Sequence, residues 1–410
     1  MSDAHASGSR EAFALGLERA LVAPPRRLEL ARRVGLLVNQ ASVDRAFRYA
    51  HESFAARFPG KLAALFGPQH GLWSEQQDNM IETAHARDAR LRVPCHSLYA
   101  ERREPSAAML EGLDLFVVDL QDVGTRVYTY IWTLLLAMRA CAAHRVPMLV
   151  LDRPNPLGGE VVEGPRLEPD QASFVGLLPI PMRHALTIGE LARWFQREHV
   201  PDALVEVVPM QGWRRDTLWP ELASPRAVRS WVPTSPNLPR FEGVLVYPGQ
   251  VLLEGTNLSE GRGTTTPFEI CGAPWLDGHE LAAAMVALGS DPSIALRPVR
   301  FEPTFHKHVG RSCGGVFLHP HEPRRARSYR TTLALLAACR TLAPREFAWR
   351  PPPYEYETAK EPIDILSGSR ALRLAIDAGA DRAALDSLAA VDVSAWWDEV
   401  GDAVLYPRGA

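Results

Sequence analysis

Short unbroken runs of Val, Leu and Phe alternate with stretches of helical spacing through the first half of the chain. The apolar runs at 34–38, 62–66, 115–118 and 148–151 each end in a polar loop. These loops are Asn39-Gln40, Gly67-Pro-Gln-His-Gly71, Asp119-Leu-Gln-Asp-Val-Gly124 and Asp152-Arg-Pro-Asn-Pro156. A strand that is apolar at every position is buried on both faces, which predicts parallel strands in a doubly wound α/β sheet. Between the third and fourth runs Val127, Ile131, Leu134, Leu135, Met138 and Ala142 recur at helical spacing, a stripe that docks on the sheet and ends before Pro147.

After residue 239 the pattern changes. Residues 247–250 and 252–263 form a Gly-rich polar stretch, followed by a helix near 278–288 and strand-like segments at 297–301 and 315–318. Helices at 326–342, 369–378 and 382–390 close the chain. The prolines of Pro233-Thr-Ser-Pro-Asn-Leu-Pro239 continue neither a helix nor a central strand, so a boundary is expected there. The expected division is a catalytic α/β domain over 22–239 and a smaller α+β domain over 240–410 that contributes to a cleft.

Composition narrows the function. With 410 residues, 46% of them hydrophobic, and a formal net charge of −3, the chain has room for two cores and offers no electrostatic footprint for nucleic acid. The segment Met1-Ser-Asp-Ala-His5 opens no basic, then apolar, leader, and the stretch around 134–138 is far short of a membrane span. Five scattered cysteines without a CxxC pair fit reduced thiols, and a cytoplasmic protein is expected. The HxH pairs His306/His308 and His319/His321 are read as turn or surface residues, not as a metal site. Lysine occurs only at Lys61, Lys307 and Lys360 among 45 basic residues, leaving 42 arginines, mostly a matter of coding bias.

The candidate chemistry lies at one end of the apolar runs. Four consecutive parallel strands would discharge Asn39, Gln40, His70, Asp119, Gln121, Asp122, Asp152, Arg153 and Asn155 at their carboxyl ends, where open α/β sheets bind ligands. No GxGxxG follows the first run, no GxSxG elbow is present, and no serine stands three residues before a lysine. What remains is carboxylate acid/base chemistry on a polar substrate.

Several long strings then resemble one bacterial family. They are Phe66-Gly-Pro-Gln-His-Gly71, Asp119-Leu-Gln-Asp-Val-Gly-Thr-Arg-Val-Tyr-Thr-Tyr130, Asp152-Arg-Pro-Asn-Pro-Leu-Gly-Gly159 with Val162-Glu-Gly-Pro165, and Arg183-His184 with Thr187-Ile-Gly-Glu-Leu191. Ser235-Pro-Asn-Leu-Pro239, Glu254-Gly-Thr-Asn-Leu-Ser-Glu-Gly-Arg-Gly-Thr264 and Ile363-Asp-Ile-Leu-Ser-Gly-Ser369 carry the likeness almost to the end. The family, long a domain of unknown function, is that of exo-acting β-N-acetylmuramidases. The resemblance implies a Rossmann-like N-terminal domain and removal of N-acetylmuramic acid from non-reducing ends of peptidoglycan fragments. The implied partner is a muramyl saccharide or muropeptide, with no nucleic acid, no membrane and no cofactor.

One departure matters. Relatives with the hydrolase activity commonly carry Glu where this chain has Gln69, and an amide does not exchange a proton as a carboxyl does. Glu75, six residues later, is the expected general acid, oriented by His70, with Asp122 ahead of Asp119 and Glu254 as second carboxylate. The lactyl carboxylate of muramic acid calls for a bidentate cation, which makes Arg126, Arg153, Arg183 and Arg262 the candidates. Tyr128 offers a flat face to a sugar. The motif residues Glu163, His184, Asn237 and Asn257 complete the expected substrate contacts with Asn39, Gln121, Asp152 and Asn155. The rival readings are a non-catalytic muropeptide-binding protein and a hydrolase retuned to another glycan.

Overall fold

The computed structural model describes residues 12–74, 82, 84–222 and 229–408. Its main sheet has seven strands: β1 (Val34–Val38), β2 (Leu62–Gly67), β3 (Ala86–Arg87), β4 (Pro94–Ser97), β5 (Leu115–Asp119), β6 (Met148–Leu151) and β9 (Val205–Val208). The order is β3-β4-β2-β1-β5-β6-β9, parallel throughout except for the edge strand β3. The hairpin β7 (Glu163–Arg166) and β8 (Pro181–Arg183) is inserted between β6 and β9. Beyond it lies an antiparallel sheet of β10 (Ile270–Ala273), β12 (Cys313–Pro320) and β11 (Ile294–Phe301), with β12 in the middle.

The apolar runs become the central strands because both faces have a core to enter. On β1, Leu37 faces one cluster while Leu36 and Val38 face the other, and on β5 Phe116 and Val118 oppose Leu115 and Val117. Burying such a side chain fully is worth roughly 1.5–3 kcal/mol, so a register slip is costly on both faces. The helix Tyr130–Ala143 covers the first face, with Ile131, Leu134, Leu135 and Met138 all buried as their spacing predicts. Val127 lies in the loop before it. The helix Ala50–Arg57 contributes Ala50 and Phe54 to the other face.

Three strands of the main sheet escape the sequence reading, as do β7, β8 and β10. β3, β4 and β9 lie at or toward the edges and are short, half-exposed or polar, without the unbroken apolar run of a central strand. The stretch read as a Gly-rich loop at 247–250 is the end of a helix, Phe241–Gln250, which runs on as a tight turn, Val251–Gly255. Pro248 is tolerated in its last turn. Gly249 is required because a Cβ there would stand 2.1 Å from the Ser328 carbonyl oxygen of the helix Ser328–Leu342 packed against it. Helices Pro362–Ser367 and Val393–Val400 also went unread, whereas Gly278–Ala287, Ala371–Asp377 and Arg382–Ala389 fall where expected.

The end of the chain returns to the main sheet. Trp396 Nε1 donates to the His184 carbonyl at 3.0 Å, and the Tyr406 hydroxyl donates to Asp152 Oδ2 at 2.5 Å. Among the described residues no helix is long and apolar enough to cross a membrane.

β1 and β5 end level, Val38 opposite Asp119, and the chain order reverses direction around β1, so the loops after β1, β2 and β5 splay apart above a crevice. A buried ion pair ties these loops down. Arg153 Nε and Nη2 meet the Asp119 carboxylate at 2.6 and 2.8 Å, with 1% and 0% of these side chains exposed. The guanidinium also donates to the Ala41 and Val43 carbonyls, tying the loop after β1 to β5 and β6. Removing one member leaves a buried charge unmatched. Asp119→Asn is therefore expected to cost about 3–5 kcal/mol in urea unfolding, and Asp119→Val with Arg153→Met to recover part of that loss. A loss below about 1 kcal/mol in the single variant would show that the fold does not depend on the pair.

Candidate active site

A narrow polar cavity lies beside the loops after β2 and β5. The loop after β2 supplies Gln69 and His70, the loop after β5 supplies Tyr128 and Thr129, and the 235–237 turn supplies Ser235 and Asn237. The other wall carries Tyr247, Glu254, Arg262, Phe268, Tyr354 and Glu355. Tyr128, Tyr247 and Phe268 form an aromatic side, with ring centroids 6.0 Å apart for the first pair and 4.9 Å for the second.

Two carboxylates face this cavity in different surroundings. Glu355 Oε1 accepts from Gln69 Nε2 at 3.1 Å and Oε2 accepts from the Tyr99 hydroxyl at 2.7 Å. The Gln69 amide is itself oriented, since Thr129 Oγ1 donates to its oxygen at 2.7 Å. Burial raises the proton affinity of Glu355 above the usual carboxylate range, against the two hydrogen bonds that draw it down, and neighbouring Glu254 adds to the rise.

Glu254 instead meets a cation. Arg262 Nη1 donates to Glu254 Oε1 at 2.8 Å and to Glu260 Oε1 at 3.0 Å, while the Tyr354 hydroxyl donates to Glu254 Oε2 at 2.6 Å. Burial works against the Arg262 charge, but Glu254 and Glu260 outweigh it and push its pKa up. Glu260 is fully buried, and burial alone would keep it protonated; Lys307, His306 and Arg262 reverse this and hold it well below the ordinary carboxylate value. Lys307 Nζ reaches Glu260 Oε2 at 2.9 Å and the Leu253 and Leu258 carbonyls at 2.8 and 3.0 Å. Its three donors thus fasten the turn that carries Glu254.

The backbone here is unusual. His70, Phe268, Glu355 and Tyr356 all have left-handed conformations, with φ of 69°, 65°, 45° and 67°. Such conformations are unfavourable for residues with a Cβ and are found where surrounding contacts impose them, often at functional sites.

Of the residues expected from sequence, Gln69, His70, Tyr128, Asn237, Glu254 and Arg262 line the cavity. Glu75 lies outside the described residues. Asp122 sits just behind, its Oδ2 accepting from the Gly124 N–H at 2.7 Å and lying 3.7 Å from His184 Nε2. Asn39 and Gln121 link loops: Asn39 Oδ1 accepts from the Gln121 N–H at 3.3 Å, and Gln121 Nε2 donates to the Asp122 and Pro154 carbonyls at 2.9 Å each.

The remaining candidates are engaged elsewhere. Arg126 donates to the carbonyls of Pro165, Ile180, Leu366 and Ser367 at 2.8–3.1 Å, and Arg183 donates to that of Leu157 at 2.6 Å. Both are completely enclosed, and burial lowers their pKa to about 10. With Arg153 held by Asp119, three of the four expected anion-binding arginines are committed to the protein's own carbonyls and carboxylates rather than to the cavity wall. Asp152 receives Gly189 N–H at 2.7 Å and Thr187 Oγ1 at 2.9 Å at the start of the helix Ile188–Glu198. Asn155 donates to the Leu186 carbonyl at 3.0 Å, Glu163 accepts from Tyr329 N–H at 2.7 Å, and Asn257 donates to the Glu346 carbonyl at 2.7 Å. Of the paired histidines, His306 Nδ1 lies 3.2 Å from Glu260, His308 Nε2 contacts the Asn257 carbonyl at 2.7 Å, and His319 stacks on Phe317.

Sequence reasoning missed Glu355 and Tyr354. The available signal was the alternation Tyr354-Glu355-Tyr356-Glu357 directly after three prolines, aromatic and acidic residues in a segment with no helical or strand period.

The family models described as exo-beta-N-acetylmuramidase NamZ, N-terminal and C-terminal, match residues 34–242 and 245–406. A peptidoglycan beta-N-acetylmuramidase NamZ of Bacillus subtilis (strain 168) is 42% identical over 316 residues, spanning 77% of this chain and 75% of the relative. Two crystal structures of DUF1343 family proteins from Bacteroides fragilis NCTC 9343 superpose with TM-scores of 0.85 and 0.73 at 28% and 26% identity, each over 97% of this chain and 99% of the other. The seven-stranded sheet, the cleft beside it and the matches to both halves have one conclusion: the chain belongs to the exo-β-N-acetylmuramidase NamZ family.

Proposed function

We propose that this protein is an exo-acting glycoside hydrolase that releases N-acetylmuramic acid from the non-reducing ends of peptidoglycan-derived saccharides, with Glu355 as its general acid. The observation that carries the assignment of the acid is a buried, doubly hydrogen-bonded carboxyl, its pKa raised by burial, in the same cavity as an arginine-paired carboxylate. Two carboxyl groups with opposed environments are what glycoside hydrolysis requires: one delivers a proton to the departing oxygen, the other balances the positive charge that develops on the sugar ring. Glu254 takes the second role, turned into the cavity by Arg262 and Tyr354.

Gln69 fits this scheme without being the acid. It donates to Glu355 and cannot compete with it for a proton, so the acid function moves from the loop after β2 to the 354–356 segment. Tyr128, Tyr247 and Phe268 supply flat faces for the pyranose. The substrate is taken up as a soluble muramyl saccharide or muropeptide, in cell-wall turnover or salvage, by a cytoplasmic enzyme.

Two substrates test the assignment. Glu355→Gln is expected to slow cleavage of a muramyl-glucosamine disaccharide by about 100-fold or more, and cleavage of a nitrophenyl N-acetylmuramide much less, since a nitrophenolate leaves with little protonation. Equal losses on both would remove Glu355 from the acid role. Glu254→Gln is expected to impair both substrates. Saturable binding of the disaccharide by the unaltered protein without turnover would favour the non-catalytic reading.

The pH profile has a fixed sign. The acid must be protonated, so kcat/KM on the disaccharide is expected to fall as pH rises through the Glu355 pKa, and burial places this alkaline limb above the range of an ordinary glutamate. The limb should vanish in Glu355→Gln. Its persistence there would assign it to another group.

A further inference from the structure

Behind Glu355 lies a layer of side chains that the cavity does not expose. Tyr99, fully buried after β4, donates through its hydroxyl to Glu355 Oε2 at 2.7 Å. The guanidinium of Arg103 lies over the Tyr99 ring, with its carbon 4.1 Å from the centroid. The same guanidinium lies 4.5 Å from the ring centroid of Tyr356, the residue that follows Glu355, and 5.6 Å from that of Phe174. Arg103 is fastened in turn by donating to the Ala100 carbonyl, and its Nη2 stands 3.8 Å from Glu82.

This planar cation therefore touches both the ring that hydrogen-bonds the carboxyl and the ring next to it in sequence. Glu355 and Tyr356 are both held in left-handed backbone conformations, which need such external contacts to persist. A cation over an aromatic face is attracted by the ring's negative quadrupole, and guanidinium stacks where ammonium, a compact point charge, does not. It also withdraws electron density from the phenol, which strengthens the hydroxyl as a donor.

We propose that Arg103 is a positioning residue: by clamping Tyr99 and Tyr356 it holds the Glu355 carboxyl in the orientation from which it donates its proton. The inference rests on the proposed acid role of Glu355. The groups facing that carboxyl include the Tyr99 hydroxyl and Gln69 amide by direct hydrogen bond, Glu254 and Arg103 by charge, and the Tyr247 and Tyr354 hydroxyls. Arg103 and Glu254 act in opposite senses, the cation favouring the ionised carboxyl and the carboxylate opposing it.

Arg103→Met is expected to lower kcat on the muramyl-glucosamine disaccharide at least tenfold while KM stays within twofold. The loss on the nitrophenyl substrate should be less than threefold. With the cation gone, the alkaline limb of kcat/KM moves to higher pH, and Arg103→Lys, which restores the charge without the plane, returns the limb while kcat stays low. Equal losses on the two substrates, an unmoved limb, or full activity in Arg103→Met would each overturn the proposal.

If Arg103→Met fails to fold, Tyr99→Phe keeps the stacked ring and removes only its hydroxyl. The same discrimination between substrates is then expected, and its absence would overturn the inference. Should the unaltered protein cleave neither substrate, the hydrolase reading fails by itself. The Arg103 contact is then read from the infrared carboxyl band of Glu355, identified by its loss in Glu355→Gln. A pH titration of that band identical in the unaltered protein and Arg103→Met would reject it.

Discussion

The hydrogen bond from Gln69 to Glu355 joins residues 286 positions apart and closes the cleft chemically as well as spatially. One partner stands on the loop after a central strand of the main sheet, the other on an irregular segment following three prolines. A carboxyl at position 69 would set two acceptors against each other, and one of them would have to hold a proton. The amide removes that choice. It presents a donor to Glu355 while its oxygen is occupied by Thr129, so of the two side chains only Glu355 can gain or lose a proton.

Much of the scaffold was legible because both faces of the sheet are buried. Val34, Leu36, Leu37 and Val38 must all be apolar, and a run of that kind has few other readings. The edge strands were not legible for the opposite reason: Pro94-Cys-His-Ser97 is half-exposed and carries no period that distinguishes it from a loop. The motif arginines carry two roles that sequence does not separate. A guanidinium that meets a ligand carboxylate and one that gathers backbone carbonyls have the same sequence signature, and Arg126, with four carbonyl acceptors, belongs to the second kind. Such arginines organise irregular chain where no sheet or helix supplies donors.

The site itself was half legible. Gln69, His70, Tyr128, Glu254 and Arg262 lie in recognisable strings, and the folded chain gathers them on one cavity. Glu355 was hidden because its position depends on left-handed backbone at two successive residues, which a sequence pattern does not announce. The arrangement places a rigid sheet under loops whose conformations are imposed by contacts from several directions, a common division of labour between scaffold and function.

Lys307 gives the unusual base composition of the chain a structural meaning. In a protein with 42 arginines and three lysines, arginine is the usual basic residue. At Lys307 three acceptors surround one small nitrogen at 2.8–3.0 Å, and the flat, wider guanidinium has no way to point three hydrogens at them from a single atom. Replacement by arginine would disturb the turn bearing Glu254 although the charge is conserved. The rarest basic residue in the chain thus stands where a compact ammonium fits its acceptors and a guanidinium does not.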